Sequence, residues 1–114
     1  MPTANLTMDI REVAEGVRVI DVQGEITSFS DEQITEAHAN AGEGASVVIL
    51  NFEGLEYMNS GGIGLLVTTL IRAQRAGHDL RAYGLGEHYR QIFTLTRLDE
   101  AISIHDDESS AIAG

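Results

Sequence analysis

Residues 46–64 read Ser46-Val47-Val48-Ile49-Leu50-Asn51-Phe52, then Glu53-Gly54-Leu55-Glu56-Tyr57-Met58, then Asn59-Ser60-Gly61-Gly62-Ile63-Gly64. The first block is a continuous, β-branched apolar run, the pattern of a strand covered on both faces, and it predicts the central strand of a sheet. The second block reads as the connection leaving that strand. Beyond it, Ile63, Leu66, Val67, Leu70, Ile71 and Gln74 fall on one stripe of a helix that stops near Gly77, a residue suited to a left-handed C-terminal cap. A buried strand feeding an amphipathic helix is the nucleus of an α/β domain.

Working outward, Leu6, Met8 and Ile10 alternate with Thr7, Asp9 and Arg11. After Glu15-Gly16 come Val17, Val19, Ile20 and Val22, so the chain opens on an antiparallel hairpin. Ser30 followed by Gln33 reads as a helix start, with Ile34, Ala37, His38 and Ala41 continuing at helical spacing. On the far side, Leu80–Tyr83 reads as a short strand, Tyr89–Leu98 as a helix and Ile102–Ile104 as a last short strand. The order strand, strand, helix, strand, helix, strand, helix, strand predicts a mixed sheet of four to five strands with helices packed against it. We read residues 1–114 as a single domain, in which the acidic segment 106–114 either forms a terminal helix with Ala111 and Ile112 inward or frays.

The 114 residues carry 7 basic and 18 acidic side chains, a formal net charge of -11. That charge repels phosphate backbones and anionic headgroups at long range, which argues against nucleic acid as a partner and favours a basic protein surface. Without cysteine there is no thiolate nucleophile, disulfide or cysteine metal site. Met1-Pro2-Thr3-Ala4-Asn5 lacks the basic and apolar blocks of a secretory signal, and the apolar stretch Ile63–Ile71 is far short of the roughly 20 residues of a membrane helix. A cytoplasmic protein without membrane insertion is the expectation.

Ser60 stands just ahead of the best-defined helix. One reading makes it the N-cap, its hydroxyl accepting from a first-turn amide, worth about 1 kcal/mol. The other makes it a phosphoacceptor, because free amides and the positive end of the helix dipole favour an anion there. A phosphate adds about 1.5 to 2 negative charges and changes what docks. Gly61 and Gly62 serve either turn geometry or close approach of a partner.

The run Val47–Phe52 followed by Leu55-Glu56-Tyr57-Met58-Asn59-Ser60-Gly61-Gly62-Ile63-Gly64 resembles the signature of STAS-domain anti-sigma-factor antagonists. Gly24-Glu25-Ile26-Thr27 is similar to that family's run after its second strand, and Phe93–Glu100 to its late helix, so the likeness spans nearly the whole chain. It implies a bacterial partner-switching protein: a substrate rather than an enzyme, working without a cofactor. Unphosphorylated, such a protein binds an anti-sigma-factor serine/threonine kinase and frees a sigma factor; the kinase phosphorylates Ser60, and a phosphatase reverses the step. The implied docking surface comprises Glu25, Thr27, Ser28, Met58, Asn59, Ser60, Gly61 and Gly62. Two positions depart from the family pattern, with Asn59 and Thr27 standing where aspartates are usual. They leave open a second reading, a scaffold subunit that is not phosphorylated and assembles with other STAS proteins or a transporter.

Other signals point nowhere specific. Gly84-Leu85-Gly86 lacks the third glycine of a dinucleotide fingerprint, and no Gly-Lys-Ser/Thr phosphate loop occurs. Met58 occupies the place of the first glycine of a nucleophile elbow. His38, His78, His88 and His105 match no metal spacing and read as surface or helix-end residues.

Overall fold

A computed structural model describes residues 5–114. The leader reading rests on Met1–Asn5, of which Met1–Ala4 lie outside the described residues. Five strands form one sheet in the order β1(Leu6–Ala14)-β2(Val17–Ile26)-β3(Val47–Met58)-β4(Asp79–Tyr83)-β5(Ser103–His105). The β1–β2 pair is antiparallel, whereas β2–β3, β3–β4 and β4–β5 are parallel. Each parallel step is made through a helix: α1(Asp31–Gly42), α2(Ser60–Arg75) and α3(Glu87–Leu95). The mixed sheet with packed helices expected from the element order is therefore the architecture observed, and Val47–Phe52 lies in the middle strand.

Alternation along the strands divides the core in two. Ile20 and Val22, Val48, Leu50 and Phe52, and Leu80 and Ala82 face Ile34, Ala37 and Ala41 of α1, Leu66 and Leu70 of α2, and Phe93 of α3. The intervening Val19, Ile49 and Tyr83 face Ala111 of a fourth helix, α4(Glu108–Ala113). A strand buried on both sides needs an unbroken apolar run, which is why residues 47–50 carry one.

Three local readings are corrected. The segment Glu53–Met58 is no connection: β3 continues to Met58, with Gly54 opposite Gln23, Tyr57 opposite Glu25 and Met58 opposite Ile26. Register shifts between Asp21 and Gln23 and between Gly24 and Glu25 interrupt the period on which strand reading depends. Ser30 makes no side-chain cap to α1. Its hydroxyl accepts from the Thr27 amide at 3.0 Å while the Thr27 hydroxyl accepts from the Phe29 amide at 3.2 Å, a reciprocal cap closing a 3-10 turn over Ser28–Ser30. His38 is no surface residue, being only 9% exposed.

The C-terminal helix is fastened by charge. Arg11 reaches Asp21 at 2.5 Å and Glu108 at 2.6 Å, the Tyr83 hydroxyl donates to Glu108 at 2.9 Å, and Asn51 donates to Asp21 at 2.8 Å. Arg81 donates to the Ala111 and Ile112 carbonyls, satisfying the helix end. The Arg11 hydrogen bond holds the carboxyls of Asp21 and Glu108 below the usual carboxylate range, and burial with the Glu108 contact pushes Tyr83 up to about 12.

Candidate functional site

The parallel ends of β2 and β3 place the start of α2. Met58 pairs with Ile26, and the Asn59 amide donates to the Ile26 carbonyl at 3.2 Å. Asn59 is extended (φ -91, ψ 178), and its Oδ1 accepts from the Gly62 amide at 2.8 Å. Asn59 is therefore the N-cap, and the cap role considered for Ser60 falls to its neighbour. Ser60 is the first helical residue, exposed, and its hydroxyl makes no hydrogen bond among the described residues. With no acidic residue in the first turn, the positive end of the α2 dipole is uncompensated beside it.

The two glycines have a physical reason different from openness to a partner. A Cβ on Gly62 would collide with the Ile26 carbonyl, and one on Gly61 would come within 2.8 Å of Ser28 Cβ. They let the first turn of α2 sit directly on the end of β2 and on the 3-10 turn. At this end of the sheet Ser28 and Ser60 are exposed, and so are two large side chains, Phe29 at 70% and Tyr57 at 50% exposure. Glu25, Thr27, Asn59 and Gly61 are half-buried between them. Two of the residues assigned to docking are not at the surface: Gly62 is buried and Met58 is 3% exposed, its amide donating to the Tyr89 hydroxyl of α3 at 2.8 Å. Their part is to hold the face, because apolar burial and backbone closeness consume the contacts a partner would need.

Phe29 is the residue that reading the sequence missed. It sits in the polar run Thr27-Ser28-Phe29-Ser30-Asp31, where one large apolar side chain without a helical or strand partner is the signal that could have exposed it. An open groove leads from it between α1 and α2, flanked by Asp31, Glu32, Glu36 and Arg72. Arg72 is tied to Thr35 at 3.0 Å. Among the described residues, no group of three or more His, Asp or Glu is placed to hold a metal ion. The arrangement offers an exposed hydroxyl free to accept a group at the positive end of a helix.

The sequence profile described as the STAS domain matches residues 10–111. The anti-sigma-B factor antagonist of Bacillus subtilis (strain 168) is 25% identical over 100 residues, covering 88% of this chain and 91% of that protein. An anti-sigma factor antagonist from Mycobacterium paratuberculosis shares the fold with a TM-score of 0.77 at 20% identity, covering 99% and 95% of the two chains. The Bacillus cell fate determinant SpoIIAA in its phosphorylated form does so with a TM-score of 0.71 at 23% identity, covering 94% and 97%.

Proposed function

The chain belongs to the STAS domain family, and from that membership we propose that it is an anti-sigma-factor antagonist switched by phosphorylation of Ser60. Unphosphorylated, it docks an anti-sigma-factor serine/threonine kinase through the face around Ser28, Phe29, Tyr57 and Ser60, and so frees a sigma factor. Phosphate on Ser60 ends the contact, and a phosphatase restores it.

The observation that carries this reading is the division of labour at the start of α2. Asn59 takes the capping bond, so the Ser60 hydroxyl is exposed and uncommitted at the positive end of a 16-residue helix. The two departures from the family pattern fit the same logic. Asn59 and Thr27 both act as neutral caps, Asn59 to α2 and Thr27 to the 3-10 turn, so capping survives while two carboxylates are absent from beside the phosphoacceptor. The naming of the Bacillus subtilis relative as an anti-sigma-B factor antagonist supports the class of partner.

The test is incubation with ATP and the serine kinase encoded nearest in the source genome, followed by mass spectrometry of the peptide containing Ser60. One phosphate on Ser60, lost in Ser60→Ala, and weaker kinase binding by the phosphorylated form are expected. No phosphate on Ser60, with recovery of other STAS chains or a transporter instead of a kinase, would replace this reading with a constitutive scaffold.

A further inference from the structure

We propose that His38 and His78 form an acid-released latch that holds the C-terminal half of α1 to the turn ahead of β4. His38 comes from α1 and His78 from the turn that ends α2, where its amide donates to the Ala73 carbonyl at 2.9 Å. The rings meet edge to face, centroids 5.5 Å apart and planes at 68°. His78 also lies on Gly42, so close that a Cβ there would strike the ring. Two nitrogens, His38 Nε2 and His78 Nδ1, are buried without a hydrogen-bond partner among the described residues. A buried polar nitrogen left unpaired is tolerable in a neutral imidazole and far less so in an imidazolium.

Among the described residues no carboxylate is paired with either ring. Arg72 faces the pair from α2, and burial first, then His78 and Arg72, hold His38 below the ordinary imidazole range. From β4 the Asp79 carboxylate is taken by Arg81 at 2.9 Å. From β2 the Arg18 guanidinium donates to the Ala41 and Glu43 carbonyls at the end of α1, adding a second cation at that end, and Glu43 itself is exposed. A proton arriving on His38 therefore favours opening over closure. Because the folded group protonates less readily than the unfolded one, the latch is whole above about pH 6.5 and is lost as pH falls below that value.

The latch is independent of the reading given to Ser60 and is tested on the protein alone. In an NMR titration His38 is expected to protonate below the ordinary imidazole range. Amide exchange over residues 38–43, corrected for its intrinsic pH dependence, is expected to quicken by up to about tenfold per pH unit below neutrality. His38→Leu, which keeps an apolar contact, should remove that acid step while leaving exchange at neutral pH close to the parent. A His38 that titrates at or above the ordinary value, or an acid step that persists in His38→Leu, would overturn the proposal.

Discussion

At Asn59 one amide oxygen does the work of a cap, and four substitutions separate its roles from those of the residues around it. Asn59→Ala should destabilise the fold by about 1 kcal/mol in urea unfolding, whereas Asn59→Asp should not, since aspartate caps equally well. Asn59→Asp should nevertheless lower the stability of the protein phosphorylated on Ser60, because it places a like charge beside the phosphate. At Gly62 two effects oppose each other. Alanine in a helix gains about 1 kcal/mol over glycine, but here its Cβ meets the Ile26 carbonyl, and forced displacement of backbone costs about 1–3 kcal/mol. The collision wins, so Gly62→Ala should lower the melting temperature. Phe29→Ala removes a side chain that is mostly in water, so melting should hardly move; under the proposed function, affinity for the kinase should fall about tenfold or more in a binding titration.

Among the elements, β3 and α2 were legible because each repeats one pattern without interruption, an apolar run in the first and an apolar stripe in the second. The second half of β3 was not, because its register slips twice against β2 and Glu53, Glu56 and Tyr57 stand in solvent. The cap of α2 was misplaced by one residue, since Asn59 and Ser60 are both capping types and only the backbone decides between them. Phe29 escaped notice, and His38 was read as a surface or helix-end residue, for a shared reason: exposure and burial there depend on elements distant in sequence. The fastening of α4 is likewise non-local, joining Arg11 on β1 to Glu108 near the chain end. Its carboxyls titrate below their unfolded values, so the stability they give is present above about pH 4 and lost as pH falls through that region. These groups are partly exposed to solvent, and the contribution is screened to about 1 kcal/mol or less. Arg11→Ala should accordingly flatten the dependence of unfolding free energy on pH between about pH 5 and pH 3.

For the molecule as a whole, charge is partitioned. All seven basic residues are arginines, and six of them, Arg11, Arg18, Arg72, Arg81, Arg90 and Arg97, bind side chains or carbonyls of the fold itself. The surplus of 18 acids over 7 bases is left to the surface, where it repels itself. Raising KCl from about 0.01 M to about 1 M shortens the reach of that repulsion, and the melting temperature should rise; a fall would contradict it. The face around Ser60 gains a different property from its glycine contacts and its doubly capped turn. Locked in place before any partner arrives, it has little motion left to surrender on complex formation. Variants there should consequently change residence time far more than encounter rate, so that stopped-flow traces diverge on dissociation and nearly superimpose on association.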